Sequence, residues 1–332
     1  MRPLRVGILG AAKIAPGALI QPVQARRDAA GAPAAADVVV VAVAARSGAR
    51  ARAFADAHGI EHAHEGYDAL LARDDLDAIY NALPPSRHAD LSIAALASGR
   101  HVLCEKPFAL DAREAQAMVA AATGSGRVLM EAFHYRYHPL FHAIVDVVRG
   151  GQLGALREVH ARFVVPVPPR AGELRFDPAL GGGGLMDMGT YCLHWCRTVV
   201  GREPRVREAH MRMGETGVDL HTTAVLDFGG GLLAHLDCGM DAPFSARLEV
   251  QGERGRLVAD NPLVPQFGHR LEVTLEGAEP EARTFPRKST YEYQLQAFVD
   301  AVRTGVPLLT PGSDAVAQMQ AIDAIRAVAV RG

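Results

Sequence analysis

The first ~125 residues alternate between short apolar runs and helix-like segments, and this pattern constrains the fold more than any other feature of the sequence. Four runs are rich in β-branched residues and apolar on both faces, which is typical of buried parallel strands. The repeat of strand, helix and strand predicts a doubly wound α/β sheet. The runs lie at 4–9, 37–44, 76–83 and 101–104, and the helix-like segments at 13–27, 49–58, 86–98 and 111–122.

Residues at the ends of the helix-like segments predict where the helices begin and end. Glycine adopts the left-handed conformation that closes a helix, so Gly31, Gly59 and Gly99 are predicted as stops. Ser86 and Asp111 are predicted as N-caps, because their side chains can accept a hydrogen bond from the first turn. The alanine-rich stretch at 29–36 is interpreted as a surface loop.

The pattern changes after residue 126. A strand-like segment at 128–132 and a helix-like segment at 139–149 follow, and then strand-like segments succeed one another without helices between them. We predict an α/β Rossmann domain, a doubly wound parallel sheet, in residues 1–126. We predict an α+β domain with a large, mostly antiparallel open sheet in residues 127–332. Its strands are predicted at 156–165, 206–213, 220–228, 232–238, 247–251, 256–259 and 271–275, with a glycine turn at 229–231 and helices at 291–304 and 314–330.

The charge balance excludes one class of function. Thirty-five Lys and Arg against 37 Asp and Glu give a formal net charge of −2 over 332 residues, whereas nucleic-acid binders carry strongly basic surfaces. The sequence begins without a secretory signal pattern, and no uncharged stretch reaches the ~18–20 residues of a membrane helix. We therefore expect a cytoplasmic protein of about two domains that binds neither nucleic acid nor membrane.

The four cysteines form no recognisable metal or disulfide framework. They are Cys104, Cys192, Cys196 and Cys238, and none belongs to a Cys-x-x-Cys pair. Cys192 and Cys196 stand four apart, but no matching set of His and Cys completes a zinc site. We interpret these two as small buried side chains and predict no metal.

The first strand ends in a sequence that partly matches the dinucleotide-binding motif G-x-G-x-x-G. The three glycine positions hold Gly10, Ala12 and Ala15, so only the first is glycine. A strand-to-helix turn with this role binds the pyrophosphate through main-chain amides at the helix N-terminus. The alternative is an ordinary strand-to-helix turn. Its place after the first strand favours the cofactor, and Gly10, Ala12, Lys13 and Ile14 are predicted contacts.

The end of the second strand indicates which dinucleotide is bound. An NAD site commonly places Asp or Glu here to accept from the ribose 2′-hydroxyl, but this chain has Arg46 and Ser47. Arginine binds a phosphate through two parallel hydrogen bonds and remains charged at working pH. We therefore predict NADP, with NAD as the alternative cofactor, and expect Arg50 to assist. For Arg46 the competing interpretation is a solvated loop arginine.

Four further motifs follow one another along the chain. They are Asn-Ala-Leu-Pro-Pro-x-x-His at 81–88, Glu-Lys-Pro at 105–107, Glu-Ala-Phe-His-Tyr-Arg-Tyr-His-Pro at 131–139 and Gly-Gly-Gly-Gly-Leu-Met-Asp-Met-Gly-Thr-Tyr at 181–191. In this order they resemble the motifs of the Gfo/Idh/MocA oxidoreductase family, and the resemblance covers essentially the whole chain. Within the family the chain is similar to the dihydrodiol dehydrogenase and NADP-dependent xylose dehydrogenase branch, which has tyrosine where the inositol dehydrogenases have histidine.

The residue types in these motifs suit the oxidation of an alcohol. The hydroxyl proton needs a base while hydride leaves to the nicotinamide, and Tyr191 can serve if its phenol, with an ordinary pKa of ~10, lies near an ammonium. Lys106 follows a strand whose carboxyl end faces the ligand crevice. Asp187 stands one turn before Tyr191 and can bind substrate or Lys106. The resemblance implies catalytic roles for Lys106 and Tyr191, an active-site role for Asp187 and a cis bond before Pro107.

The resemblance also implies contacts by neighbouring residues, each with a plainer alternative. Glu105 would bind the nicotinamide ribose or be a surface carboxylate, and His88 would contact the cofactor or be an ordinary helix histidine. His194 would line the site or be structural, and Arg136 would contact substrate or anchor the two domains. The loop at 162–175 would set specificity. The predicted cofactor contacts in this group are Leu83, Pro84, His88, Glu105 and Lys106, and the predicted substrate contacts are Arg136, His138 and His194.

These interpretations together predict an NADP-dependent oxidoreductase acting on a sugar or small polyol. The preferred reaction is oxidation of an aldopyranose at C1 to its lactone, or of a trans-dihydrodiol. Reduction of a keto-sugar, including a nucleotide-linked one, is the alternative within the same class, and a nicotinamide-binding sensor without turnover is the alternative outside it. We also expect a homodimer or homotetramer formed through the open sheet face, on the reasoning that this face would otherwise expose apolar surface.

Overall fold

The computed structural model describes residues 2–29 and 37–332, which form two compact units. The first unit comprises Met1–His134 and Tyr291–Val316, and the second comprises Tyr135–Thr290 and Ala317–Gly332. Each unit is therefore built from two separate stretches of sequence. The predicted helix stop at Gly31 and nearly all of the predicted loop at 29–36 lie outside the described residues.

The first unit contains a six-stranded sheet in which all strands are parallel. The order β3-β2-β1-β4-β5-β6 reverses direction at β1, so the carboxyl ends of β1 and β4 border the switch point where doubly wound folds bind ligands. This confirms the predicted fold of the first domain. The strands are β1 (Leu4–Leu9), β2 (Val38–Ala45), β3 (His62–Glu65), β4 (Ala78–Asn81), β5 (His101–Cys104) and β6 (Leu129–Glu131).

Helix ends in this unit follow the predicted caps with one exception. The Asp111 carboxylate accepts from the amide of Glu114, and Gly59 closes its helix with a φ of 66°. The prediction of Ser86 as an N-cap is wrong, because Pro84 leads into a 3-10 turn that contains Ser86, and the helix begins only at His88. The helices are α1 (Gln21–Ala29), α2 (Gly48–His58), α3 (Tyr67–Leu71), α4 (His88–Ala97) and α5 (Ala112–Ser125), and a π-helical turn (Pro16–Ile20) precedes α1.

The second unit contains a nine-stranded sheet that is mostly antiparallel, as predicted, with α6 (Pro139–Arg149) and α7 (Thr190–Val200). Its order is β14-β13-β12-β11-β7-β10-β9-β8-β15, and only the pairs β7–β10 and β8–β15 are parallel. The predicted glycine turn joins β9 to β10. The strands are β7 (Leu156–Val164), β8 (Arg205–Met213), β9 (Asp219–Asp227), β10 (Leu233–Gly239), β11 (Ser245–Gly252), β12 (Gly255–Asp260), β13 (Arg270–Leu275), β14 (Glu281–Arg283) and β15 (Val330–Arg331).

The two faces of this sheet differ in chemistry. Alternate side chains of β7 are buried on the face that carries α7, whereas the opposite face exposes polar groups. On that face the rings of His160 and His235 stack with centroids 4.8 Å apart, and Asp237 pairs with both Arg162 and His221. The expectation that the open face exposes mainly apolar surface is therefore wrong for the central strands.

The chain closes with α8 (Thr290–Thr304) and α9 (Gly312–Val328). The second of these was predicted to reach residue 330, but Val330 instead pairs with His210 of β8. Within the ranges 2–29 and 37–332, none of the helices combines the length and apolar character needed to cross a membrane. All four cysteines are free and buried, which confirms the interpretation of Cys192 and Cys196 as buried side chains.

Candidate active site

The turn after β1 requires glycine at its first position. Gly10 has a φ of 98°, which L-residues with a side chain rarely adopt. A Cβ added to Gly10 would lie 2.9 Å from Cδ2 of Leu83 and 3.4 Å from the carbonyl oxygen of Ala82. The glycine therefore lets the first strand turn sharply against the loop that follows β4, which carries the predicted cofactor contacts Leu83 and Pro84.

The residues after this glycine leave main-chain donors available to a ligand. Lys13 and Ile14 are exposed, and the amides of Ala12, Lys13 and Ile14 donate to no atom of the residues that the structure describes. Successive unpaired amides at the start of a helical segment form a binding site for an anion. The turn therefore fits the pyrophosphate of a dinucleotide.

Two arginines and a serine follow β2 beside this turn. Arg46 and Ser47 are exposed, and the hydroxyl of Ser47 caps α2 by accepting from the amide of Arg50. The guanidinium of Arg50 donates to the carbonyl of Ala11 at 2.9 Å, so this cation lies against the glycine turn. The arrangement fits a ligand with phosphate at both places.

A carboxylate that sequence reasoning missed lies at the start of α2. A Cβ added to Gly48 would be 2.8 Å from Oε2 of Glu65, the last residue of β3. The strand His-Ala-His-Glu has no apolar run, so neither β3 nor the position of Glu65 could be predicted from periodicity. One acid therefore lies beside the start of α2, next to the loop that carries Arg46 and Ser47.

Buried polar residues hold the loop that follows β4. Asn81 donates to the hydroxyl of Ser92 at 3.1 Å and accepts from the amide of Leu83 at 3.3 Å. The ring nitrogens of His88 lie 2.7 Å from the carbonyl of Leu83 and 2.9 Å from that of Pro107. Burial lowers the pKa of His88, and a neutral ring donates to only one of these carbonyls at a time. His88 thus connects the loop to the Glu-Lys-Pro segment and does not expose its ring.

The Glu-Lys-Pro segment follows β5, and the bond between Lys106 and Pro107 is cis, as predicted. Glu105 is buried, which disfavours its interpretation as a surface carboxylate. The hydroxyl of Tyr80 donates to Oε1 of Glu105 at 2.6 Å, and burial together with this carboxylate raises the pKa of Tyr80 well above its ordinary value. Tyr80 is therefore a neutral donor that orients Glu105. Lys106 itself is partly exposed.

Two aromatic residues complete this cluster in the first unit. The ring of His134 packs on that of Tyr291 with centroids 4.1 Å apart. Burial, and then the charge of Lys106, lower the pKa of His134 to about 3, so the imidazole is neutral beside the lysine. Burial and Glu105 raise the pKa of Tyr291. Sequence reasoning missed Tyr291, since it lies far along the chain in a helix without a recognisable motif.

In the second unit, the glycine run fixes the start of the segment that carries Asp187 and Tyr191. Gly183 has a φ of 119°, and a Cβ there would lie 2.3 Å from Oδ1 of Asp219. The other oxygen of Asp219 accepts from the amide of Leu185 at 2.7 Å and from the hydroxyl of Thr222 at 2.6 Å. Asp219 therefore caps the π-helical turn (Leu185–Gly189) that leads into α7. The sequence contained no local signal for it.

Substituting Gly183 tests this cap. We expect Gly183→Ala to lower the free energy of unfolding by about 3 kcal/mol, because it combines backbone strain with a clash against Asp219. Gly172→Ala is the matched control, since Gly172 has a φ of 76° but open space around it, and we expect a loss of about 1 kcal/mol. Urea unfolding at neutral pH measures both. Equal losses in the two variants would contradict the role of the close approach.

Asp187 and Tyr191 lie four residues apart, one in the π-helical turn and the other in α7. Asp187 is partly exposed and accepts from Nε of Arg175 in the preceding loop. Tyr191 is nearly buried, with its ring 5.6 Å from that of Phe163 and 5.9 Å from that of Tyr135, centroid to centroid. The sequence pointed to this loop but not to Arg175.

The predicted substrate residues take largely structural positions in this unit. The hydroxyl of Tyr135 hydrogen-bonds Nδ1 of His194, and both residues are buried. His138 caps α6 by accepting from the amide of Leu140, and its other nitrogen lies 3.0 Å from the carbonyl of Pro286. The guanidinium of Arg136 lies 5.8 Å from the centroid of Phe141. The bond to His194 joins Tyr135 to α7, and the bonds of His138 hold the start of α6, so neither histidine by itself indicates a substrate.

Comparisons with known proteins agree with this geometry. Residues 4–133 match the family model described as "Oxidoreductase family, NAD-binding Rossmann fold", and residues 141–258 match the GFO/IDH/MocA C-terminal domain. The chain is 37% identical to D-xylose 1-dehydrogenase (NADP(+)) 2 of Haloferax volcanii, over 96% of this chain and 95% of the relative. It is 36% identical to dTDP-3,4-didehydro-2,6-dideoxy-alpha-D-glucose 3-reductase of Streptomyces violaceoruber, over 99% and 96%.

A solved structure extends the likeness to the whole fold. The 3-ketoreductase from Actinomadura kijaniata in complex with NADP and TDP-benzene superposes with a TM-score of 0.90 at 30% identity, covering 99% of both chains. Two family models match in the expected order, and relatives match over nearly the full length of the chain. The chain belongs to the Gfo/Idh/MocA family of oxidoreductases.

Proposed function

We propose that this protein oxidises a sugar at a secondary or anomeric hydroxyl with NADP, and that its preferred reaction converts an aldopyranose at C1 to the lactone. The observation that carries the proposal is that one chain contains both parts of a proton relay: Lys106 after β5 in the first unit, and in the second unit Tyr191 at the start of α7, four residues after Asp187. The full-length likeness to an NADP-dependent xylose dehydrogenase supports the substrate class.

The residues of this chain account for the movement of the proton. The ammonium of Lys106 stabilises Tyr191 as the phenolate, and this phenolate takes the hydroxyl proton as the C–H bond breaks, becoming a neutral phenol. Asp187 accepts a hydrogen bond from a substrate hydroxyl. Bound NADP would supply the acceptor for the hydride, so the hydroxyl carbon loses two electrons while its proton passes to the phenolate of Tyr191. A nicotinamide-binding sensor would have no use for this proton relay.

A second reaction is favoured by a specific observation. The likeness to a nucleotide-sugar 3-reductase, and to a 3-ketoreductase at a TM-score of 0.90, supports reduction of a keto-sugar as the alternative. Tyr191 and Lys106 serve equally in that direction, because the same proton is then donated to the developing alkoxide.

A substrate panel tests the proposal. The purified protein is mixed with NADP and a series of aldoses, trans-dihydrodiols and polyols, and with NADPH and keto-sugars, while the absorbance of the reduced nicotinamide is followed. We expect turnover with at least one aldopyranose. Activity only on keto-sugars would favour the alternative, and cofactor binding without any turnover would favour the sensor.

Arg46 provides a test of the cofactor preference. We expect Arg46→Ala to weaken NADP binding by about 30-fold and NAD binding by less than about threefold, because only NADP carries the 2′-phosphate that a guanidinium binds. Arg52→Ala, on the exposed surface of α2, is the control and should change neither. Titration calorimetry gives both dissociation constants. Equal weakening for the two cofactors would contradict the assignment of Arg46 to the 2′-phosphate.

We also propose that the outer sheet face joins two or four copies of the chain. The contact between copies would be polar, because this face presents cations such as Arg162 and Arg247 beside acids such as Asp237 and Glu249. Light scattering at high and low salt tests this. A monomer at every salt concentration would contradict it, whereas a dimer or tetramer that weakens with salt would support it.

Two further expectations from the sequence remain proposals. We propose that residues 1–126 bind the cofactor and residues 127–332 supply the substrate site, which the placement of Gly10 and Lys106 in the first unit and Asp187 and Tyr191 in the second supports. We also propose a cytoplasmic location, supported by four buried free thiols, since such a compartment keeps thiols reduced. Cofactor binding by an Asp187→Asn variant and fractionation of cells test these in turn.

A further inference from the structure

We propose that Arg175 is a positioning residue for the reaction, and that it acts by holding the carboxylate of Asp187 in the orientation that binds the substrate hydroxyl. This inference rests on the proposed function and adds to it a residue of the loop that was expected to set specificity. The observation behind it is a series of four charged side chains that links the loop to the helical segment carrying Asp187 and Tyr191.

The series runs through alternating charges. Arg170 donates to Oε2 of Glu173 at 2.7 Å, and the other oxygen of Glu173 accepts from Nη1 of Arg175 at 2.8 Å. Nε of Arg175 then donates to Oδ2 of Asp187. Arg175 therefore uses two different edges of one rigid guanidinium, one for each carboxylate, which fixes its plane and with it the direction of the Asp187 carboxylate.

The backbone of the loop is built to present Arg175 at this place. The carbonyl of Arg175 accepts from the amide of Gly183 at 2.9 Å, within the glycine run that precedes Asp187. A Cβ on Gly182 would lie 2.5 Å from that carbonyl oxygen, so the close approach depends on glycine. Upstream, the amide of Val167 donates to the carbonyl of Met240 at 2.8 Å and ties the loop to the residue after β10.

Burial distinguishes the two ends of the series. The Glu173 side chain is 5% exposed, whereas those of Arg175 and Asp187 are 36% and 21% exposed, so the last pair stands at an accessible surface. An ion pair that only anchors the loop is expected at the buried end of the series, between Glu173 and its arginines. The accessible pair ends on the carboxylate to which the proposed reaction assigns a substrate hydroxyl, and there orientation matters more than stability.

The two loop arginines provide a matched comparison. The side chains of Arg170 and Arg175 both bind Glu173, and that of Arg175 also contacts Asp187. If Arg175 only anchors the loop, then Arg170→Met and Arg175→Met should have similar effects. If it positions Asp187, then Arg175→Met alone should impair the reaction.

The experiment is a double-mutant cycle with the sugar that the panel identifies. We expect Arg175→Met to lower kcat/KM by about 30-fold with an unchanged dissociation constant for NADP, and Arg170→Met to lower it by less than about threefold. In an Asp187→Asn background we expect Arg175→Met to cause little additional loss, because its partner has already been neutralised. Arg175→Lys should recover part of the activity. Additive losses, or equal losses from both arginine variants, would overturn the proposal.

A second readout does not depend on turnover and separates this inference from the proposed function. With 13C-labelled aspartate, the carboxyl signal of Asp187 is the one that disappears in Asp187→Asn. We expect that signal to move in Arg175→Met and to remain in place in Arg170→Met. If no sugar is oxidised but the signal moves as expected, the proposed function fails while the positioning of Asp187 by Arg175 stands. If the signal stays in place in Arg175→Met, the positioning role is overturned.

Discussion

Replacing Lys106 by methionine is expected to lower kcat by about 10³-fold at neutral pH, with little change in the melting temperature. Methionine keeps the length of the side chain but removes the charge that the proposed mechanism uses to stabilise the phenolate of Tyr191, and proton transfer of this kind contributes about 10²–10⁴-fold. Steady-state kinetics with the sugar found in the panel, together with the NADP dissociation constant, measure the effect. The dissociation constant should rise by less than about tenfold, since the proposed contacts to the phosphates lie elsewhere, at Gly10 and Arg46.

The control for this variant is Lys288→Met, which removes a lysine from an exposed position in the second unit. It should leave kcat within about twofold of the unmodified protein. If Lys106→Met retained full turnover, the assignment of the ammonium to the proton relay would be wrong, whatever the result for Tyr191. A rise in the sugar KM alone would instead make Lys106 a binding residue.

Acidification should destabilise the fold through His134. The pKa of this ring is lowered to about 3 in the folded protein, whereas in the unfolded chain it is about 6.5. Between those values the unfolded chain binds a proton that the folded one does not, so the stabilising contribution is complete above pH ~6.5 and falls as the pH decreases. From pH 7 to pH 5 we expect a loss of about 2 kcal/mol from this group.

The comparison that isolates this contribution uses His134→Gln, which keeps a polar side chain that takes up no proton. Urea unfolding at pH 7 and pH 5 should show a smaller pH-dependent loss in this variant, even if it is less stable at both. His62→Gln on β3 alters a half-exposed histidine and should leave the loss as it is in the unmodified protein. Identical pH dependence in His134→Gln and the unmodified protein would contradict the presence of a neutral imidazole at this position in the folded protein.

The fold was predictable where sequence pattern and packing agree. The runs that became β1, β2, β4 and β5 are apolar on both faces, which suits burial in a parallel sheet between layers of helices. β3 was missed because its residues are His, Ala, His and Glu, which form no apolar run. It is a strand because it pairs with β2, and this tertiary contact leaves no local signal in the sequence. The prediction of an apolar outer sheet face was also wrong, because the polarity of an open face depends on the side chains that point outward and not on the number of strands.

Only those residues of the candidate site that belong to local sequence motifs could be predicted. Motifs located Gly10, Arg46, Lys106, Asp187 and Tyr191, because each stands at a strand end or within a recognisable spacing. The residues that support them are distant in sequence: Tyr291 packs on His134, and Asp219 caps the turn that carries Asp187. Such partners are determined by the tertiary structure, and no local pattern predicts them.

The two-part composition of each unit has a consequence for dividing the protein. The chain passes from one unit to the other after residues 134, 290 and 316, so no single cut separates the two. A fragment ending at residue 134 would lack Tyr291 and the helix that carries it, and would leave the ring of His134 exposed. A chimaera that takes its first unit from a relative would therefore have to include residues 291–316 of that relative as well, so two separate segments of sequence must be exchanged.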